Sequence, residues 1–269
     1  MAGKTIALTG ASSGIGAATA KILMDGGHKL ISLDIKDPPP GAAQHIHCDM
    51  NDPASIDAAV AQIDGNIDGL LNVAGVPGTV PPEVVMGVNI LGLRHLTNAL
   101  MGRIAQAGAI VNIASIAGFT WQRRANEINE FLDTPDFASG LAWWEANKAG
   151  LRIDPYSFSK ECVVVLTMRQ AGEALKRGAR ANSVSPGPVE TPILPDFKRQ
   201  AGEGQLDWVI GKTGGAAQPR DIAEVVCFLA TGPSRWVNGR DIIVDGGYSA
   251  GITARWIDTS DAPARTRKK

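Results

Sequence analysis

Apolar positions along this chain fall into two alternating rhythms. Short apolar runs end in small or acidic residues, and each is followed by a stretch with apolar residues three and four apart. The first run, Ile6-Ala7-Leu8-Thr9, stops at Gly10-Ala11-Ser12-Ser13-Gly14-Ile15-Gly16, and a helical pattern (Ala17, Ala18, Ala20, Ile22, Leu23) begins at once. Lys29–Asp34 reads as a second strand and His45–Asp49 as a short extended segment. A helix is expected from Pro53 to Ile63, with Asp52 as cap and Pro53 in its first turn. Ile67–Val73 is the next strand, followed by a long helix from about Glu83 to Arg103 that carries Asn89. Ala109–Ile113 is another strand, with Ser115 just past its end. Pro155 to Lys176 reads as a long helix capped by Asp154, Ala179–Val184 as a strand, Pro219–Ala230 as a helix and Asp241–Val244 as a last strand. Glycines between Ile193 and Ala217 predict a flexible loop with a short helix. Strands alternating with helices predict an α/β fold, a doubly wound, mainly parallel sheet covered on both faces. No linker divides it, so residues 1–255 form one domain and 256–269 a frayed tail.

One segment breaks the rhythm. Residues 119–150 are too long for an ordinary α/β connection, yet Phe131, Leu132, Phe137, Leu141, Trp143 and Trp144 imply packing. They predict a helical insertion that is partly an ornament with its own small core and partly a lid at the edge where strand C-termini lie. Phe131, Trp143, Trp144 and Trp208 are candidates to line a substrate mouth, or to pack as core.

Composition narrows the possibilities. The formal net charge of −1 argues against a nucleic-acid footprint or electrostatic membrane contact. No apolar run approaches a membrane span, and the first strand starts too early for a signal peptide. Cys48, Cys162 and Cys227 are far apart and odd in number, which reads as reduced, buried thiols of a cytoplasmic protein. His45 and His47 lack further ligands at metal spacing, so no metal is expected.

The candidate chemistry begins at the first turn. Its glycines permit positive φ and close approach of a ligand, and the helix behind them presents free N–H groups to a phosphate. Asp34, at the end of the second strand, sits where a dinucleotide's adenosine ribose would lie. Its carboxylate would accept the ribose hydroxyls and repel a 2′-phosphate, favouring NAD over NADP; the alternative is a plain strand-end aspartate. Tyr156 and Lys160 are four apart on one helix and face the same way. A nearby ammonium favours the phenolate, so the pair would exchange a proton with an alcohol or carbonyl near neutrality. Ser115 would hydrogen-bond the substrate oxygen, and Lys160 a ribose hydroxyl of the cofactor.

Taken together and in order, Thr9-Gly10…Gly14-Ile15-Gly16, Asp34, Asp49, Asn72-Val73-Ala74-Gly75, Asn89, Ser115, Tyr156…Lys160, Pro186-Gly187, Thr191 and Asp245-Gly246-Gly247 resemble the short-chain dehydrogenase/reductase family from about Lys4 to Gly251. The resemblance implies a single Rossmann-type sheet and hydride transfer between NAD(H) and an alcohol, ketone or aldehyde. It implies catalysis by Ser115, Tyr156 and Lys160, with Asn89 holding a water in a proton relay. Gly10, Ser12, Ser13, Gly14, Ile15 and Gly16 would surround the pyrophosphate and ribose, and Asp34 would hold that ribose. Asp49 and Met50 would meet the adenine, and Asn72, Ala74 and Gly75 would pass beneath the cofactor. Pro186, Gly187, Val189 and Thr191 would face the carboxamide.

The sequence departs from the family pattern in two places. Val73 replaces a second asparagine, and the gap from Ser115 to Tyr156 is long. That gap, with Asn72–Thr79, Pro186–Leu194 and Ser234–Gly239, resembles bacterial coniferyl-alcohol dehydrogenases and 3α-hydroxysteroid dehydrogenases/carbonyl reductases, the former more closely. Family members often form tetramers through the helices that carry Asn89 and Tyr156. An insertion beside that pair predicts a homodimer, with a tetramer as the alternative. A non-catalytic NAD-binding sensor is the competing reading from another class; intact Ser115, Tyr156 and Lys160 argue against it.

Overall fold

The computed structural model describes residues 3–263. Seven strands form one parallel sheet in the order β3-β2-β1-β4-β5-β6-β7. They are β1 (Thr5–Thr9), β2 (Lys29–Asp34), β3 (Gln44–His47), β4 (Ile67–Asn72), β5 (Ile104–Ile113), β6 (Arg180–Pro186) and β7 (Asp241–Val244). The helices are α1 (Gly14–Asp25), α2 (Pro53–Ala61), α3 (Pro82–Met86), α4 (Leu93–Met101), α5 (Ala125–Leu132), α6 (Phe137–Leu151), α7 (Pro155–Leu175), α8 (Leu194–Ala201), α9 (Gln205–Lys212), α10 (Pro219–Thr231) and α11 (Tyr248–Ala254). This is the doubly wound sheet that the alternation predicts. The strand order reverses between β1 and β4, which opens a crevice at their C-terminal ends. Thr9 and Asn72 are partners at that crevice.

Apolar side chains pack on both sides of the sheet. Ile56, Leu96, Leu100 and Ala174 cover one face of the sheet, and Ala20, Leu23, Ile222 and Val226 cover the other. Asp52 and Asp154 cap α2 and α7 as expected, accepting from the amides of Ala54 and Ser157. The three cysteines are free and buried.

Several elements differ from the periodicity. The long helix expected over 83–103 is α3, a π-helical turn at Gly87–Gly92, and α4. Both ends of the π turn are closely packed glycines: a Cβ on Gly92 would collide with the Met50 carbonyl, and one on Gly87 with the Asn51 side chain. The stretch Pro82–Met101 is long and apolar enough to cross a membrane, but it is 67% buried inside the fold. β5 begins earlier than the apolar run does, through a register shift and a left-handed Ala107 (φ 63°). In the tail, Ile257 is buried and Asp261 accepts from Trp208 Nε1 and Lys212, while Trp256 and residues 258–262 are exposed. The rest of that tail lies outside the described residues.

Residues 119–150 form a 3-10 turn (Trp121–Arg124), α5 and most of α6. Phe131, Trp143 and Trp144 do not line a mouth, whereas Phe119 lies exposed at the start of the segment. Phe131, Trp143 and Trp144 gather around Phe158 of α7, with ring centroids 5.4 to 6.1 Å apart. Trp208 lies on α9, edge-on to Tyr248. Buried Arg94 anchors the insertion, donating to the carbonyls of Phe131, Leu132 and Asp136 and to the Thr134 hydroxyl. The insertion thus shares its core with α3, the π turn and α7 rather than having one of its own.

Candidate active site

The glycine turn is built for close approach. Gly10 (φ 70°) and Gly14 (φ 51°) are left-handed. A Cβ on Gly10 would lie 2.8 Å from Ala74 Cα, so the turns after β1 and β4 meet only because it has none. Gly16 packs its missing side chain against the Gly10 carbonyl. Ser13 is the N-cap of α1 but its side chain makes no capping bond, so the first-turn amides beside Ile15 stay available to an anion. Thr191 closes this cradle, its methyl 3.1 Å from where a Gly14 Cβ would be.

Asp34 is held in place from two sides. One carboxylate oxygen accepts the Ser12 amide (3.0 Å) and the other the Lys36 amide (3.0 Å). Ser12 Oγ in turn donates to the Asp37 carbonyl at 2.7 Å. The carboxylate is thus a preset acceptor beside the glycine turn. Asp49 is fixed similarly, accepting the Asn51 amide at 2.8 Å. The Met50 side chain is buried beside Cys48, which leaves only its backbone to meet a ligand.

The Asn72 side chain is buried and engaged in hydrogen bonds within the fold, which leaves its backbone to meet a cofactor. Its Nδ2 donates to Thr97 Oγ1 (3.0 Å) and Asn112 Oδ1 (2.8 Å), inside a buried polar ladder that continues to Thr167 and Gln170. Thr9 does the local work instead. Its hydroxyl oxygen accepts the amides of Val73 (3.0 Å) and Ala74 (3.1 Å), fixing the turn where Asn72 ends. Thr9 stands in the glycine motif, and its place before Gly10 was the available signal.

The catalytic candidates converge. Ser115, past the end of β5, accepts the Ala117 amide through its hydroxyl at 3.1 Å and lies close enough to Tyr156 to act on its phenol. Burial pushes the Tyr156 phenol up to about 12, and Ser115 works in the opposite direction. Burial brings the Lys160 ammonium down to about 8. Lys160 Nζ donates to the Ile113 carbonyl at 2.9 Å and lies 5.8 Å from the centre of the Tyr156 ring. Desolvation therefore sets the phenol here, with the Asp154 carboxylate adding to it, and the expected pull of the lysine on the phenol is not seen.

Asn89 is buried in the π turn, and its side chain clamps the loop after β4. It accepts the Val76 amide (2.8 Å) and donates to the Val76 carbonyl (3.0 Å). Gly75 is pinched between Asn89 and Lys160; a Cβ there would be 3.3 Å from Asn89 Oδ1 and 3.7 Å from Lys160 Nζ. Beyond β6, the Gly187 amide donates to the Val244 carbonyl at 3.0 Å. Pro186 and Val189 are buried there, and Val189 bridges to Ala217. A depression lined by Ile116, Phe119, Tyr248, Ser249 and Ile252 opens beside the residue that follows Ser115.

A parallel sheet with a reversal crevice, a glycine cradle and a Ser-Tyr-Lys cluster define a dinucleotide-dependent oxidoreductase. The chain belongs to the short-chain dehydrogenase/reductase family. The short chain dehydrogenase family matches residues 4–126, and the family described as enoyl-(acyl carrier protein) reductase matches residues 140–249. The protein is 38% identical to coniferyl-alcohol dehydrogenase of Pseudomonas sp. (strain HR199 / DSM 7063), over 92% of this chain and 97% of that one. It is 28% identical to 3-alpha-hydroxysteroid dehydrogenase/carbonyl reductase of Comamonas testosteroni, over 91% of this chain and 96% of that one. The fold is similar to the 3-alpha-hydroxysteroid dehydrogenase of Pseudomonas sp. B-0831 crystallised with NADH: TM-score 0.80, 31% identity, covering 93% of this chain and 99% of that one.

Proposed function

We propose that the protein is an NAD-dependent alcohol dehydrogenase/carbonyl reductase whose substrates are bulky or aromatic alcohols of the coniferyl type. The cluster of Ser115, Tyr156 and Lys160 at the mouth of the glycine cradle carries this reading. The cradle fits a dinucleotide: the left-handed Gly10 and Gly14 shape a turn that leaves the first-turn amides of α1 uncapped for a pyrophosphate, and Asp34 is a fixed acceptor for the adenosine ribose. When bound, NAD(H) supplies the hydride acceptor or donor. Ser115 orients the substrate oxygen, and Tyr156 takes the alcohol proton or returns it to the carbonyl. Lys160 contributes positive charge and donors on the ribose side. The Asn89 side chain is committed to Val76, so its share in a proton relay falls to its backbone and to the loop it positions.

The 3α-hydroxysteroid reading is the alternative, supported by the fold similarity already given. It predicts that a 3α-hydroxysteroid outcompetes an aryl alcohol. The experiment is NADH formation with purified protein on coniferyl alcohol, a 3α-hydroxysteroid and simple aliphatic alcohols, with Tyr156→Phe as control. Turnover of coniferyl alcohol that disappears in the control supports the proposal. NADH binding without turnover of any alcohol or matching ketone supports the sensor instead.

We also propose a cytoplasmic homodimer. Three buried free thiols fit a reducing compartment. The insertion covers the outer side of α4 and α7 through Arg94 and through Arg169, which donates to Asn129 and Asp133. The β7 edge remains open, with exposed Phe228, Trp236 and Ile243 on it and on the segment leading to it. A tetramer mass in solution overturns this assembly.

A further inference from the structure

The segment after β6, where a flexible loop with a short helix is expected, brings α8 against Tyr156. Phe197 faces Tyr156 with ring centroids 5.1 Å apart and planes at 57°. That is within the range of favourable tilted aromatic pairs. A helix of this size would drift if held by one ring contact, and polar bonds fix it. Gln200 Oε1 accepts the Gly78 amide at 2.8 Å, and Gln200 Nε2 donates to Asp154 Oδ1 at 3.3 Å. The Thr79 hydroxyl donates to Asp196 at 3.0 Å.

These anchors belong to the catalytic frame itself. Asp154 caps α7, two residues before Tyr156, by accepting the Ser157 amide at 2.9 Å. Gly78 follows the loop that Asn89 clamps at Val76. The Gln200 amide packs closely on Gly78, with its Cδ 2.7 Å from where a Cβ would be, so a side chain there would displace Gln200. The elements that place Tyr156 and Asn89 thus also set the position of Phe197.

A substrate oxygen within reach of both the Ser115 and Tyr156 hydroxyls brings its attached carbon skeleton alongside the Tyr156 ring. Phe197 is the aromatic group already packed on that ring. We infer that Phe197 is a specificity-determining residue, selecting alcohols with a planar aryl group conjugated to the reacting end, and that Gln200 holds it in register. A flat ring joins the Tyr156–Phe197 pair with its face or edge. A saturated ring of similar size is thicker and lacks the quadrupole that makes such pairs favourable. This inference rests on the proposed alcohol dehydrogenase activity and adds the residue that reads the ring.

The test compares coniferyl alcohol with 3-cyclohexyl-1-propanol in wild type and Phe197→Leu. Phe197 is only half-buried on α8, and Phe197→Met, close in volume but without a ring, is the second variant. The ratio of kcat/KM for the aryl over the saturated alcohol is expected to fall about three- to tenfold in both variants. Gln200→Ala is expected to raise KM for coniferyl alcohol more than it lowers kcat. A ratio unchanged in both Phe197 variants overturns the inference, whether the absolute rates hold or fall. Calorimetric binding of coniferyl alcohol and of the saturated alcohol to the NADH complex separates the two readings. If wild type binds the aryl alcohol preferentially and Phe197→Leu loses that preference, the inference stands even where turnover fails and the dehydrogenase reading falls. If wild type shows no preference in binding, the inference fails whatever the turnover.

Discussion

Lys160 Nζ sits 5.8 Å from the centre of the Tyr156 ring and is held by the Ile113 carbonyl at 2.9 Å. Residues four apart on one helix would bring the two groups to one face but would not fix this third partner. The carbonyl at the end of β5 stabilises the ammonium where burial penalises it, and it fixes the amine on the cradle side of the phenol.

That burial has a pH signature. Lys160 is lowered from 10.5 to about 8, and Tyr156 raised from 10.0 to about 12. Below pH 8 the folded protein carries the full cost of a buried ammonium. Between about 8 and 10.5 the unfolded chain holds a proton that folded Lys160 has released, so stability rises with pH. Above about 10 the folded phenol retains a proton that the unfolded one loses, which opposes the rise. Lys160→Met is therefore expected to be more stable than wild type at pH 7 and to lose the rise between pH 8 and 10. Urea denaturation across that range checks it; parallel curves for the two proteins would contradict a desolvated ammonium.

Asp34 couples cofactor choice to loop order. Asp34→Asn keeps the size but removes the charge and one of the two acceptor sites that hold Ser12 and Lys36. KM for NAD is expected to rise about tenfold, since a bond to a charged group is worth about 1.5–3 kcal/mol. The preference for NAD over NADP should narrow as well. Steady-state kinetics with both cofactors decide this, and an unchanged ratio would remove Asp34 from the discrimination.

Arg124 and Glu161 form a buried pair beside the site. Arg124 Nε donates to Glu161 Oε2 at 2.7 Å, and the Thr120 hydroxyl donates to Oε1 at 2.8 Å. Glu161 is fully buried, whereas Arg124 keeps some exposure. Arg124→Met strands the carboxylate and is expected to cost about 3–5 kcal/mol of stability. Adding Glu161→Leu should recover most of that loss, because apolar replacement of both partners is often close to neutral. Chemical denaturation of the single and double variants measures it.

Asn89→Ala removes both bonds to the Val76 backbone. A cost of about 1–3 kcal/mol follows from leaving those groups unpaired. Gly75, pinched between Asn89 and Lys160, is freed to move, so kcat should fall further than melting temperature alone explains. Equal activity at a temperature well below melting would limit Asn89 to a structural role.

Much of the fold was legible because periodicity is local. Lys29–Asp34 and Asp241–Val244 are strands over the same residues that the pattern gives, and Asp52 and Asp154 cap the helices they precede. The sheet follows from strands that alternate with helices, and the glycine turn, Asp34, Ser115, Tyr156 and Lys160 could be picked out by residue type and spacing. The π turn could not, and nothing near Asn89 reveals that Gly92 fits against the Met50 carbonyl.

By itself the sequence determined the order of elements and the glycine turn, because each depends on neighbours a few residues away, and it singled out Ser115, Tyr156 and Lys160 as candidates. Tertiary structure alone decided that Asn72 turns inward to Asn112, that Phe131 and Trp144 pack on Phe158 and not at a mouth, and that Phe197 meets Tyr156. Those contacts join residues distant in the chain. Their energy comes from desolvation and ring packing in three dimensions, which no local spacing encodes.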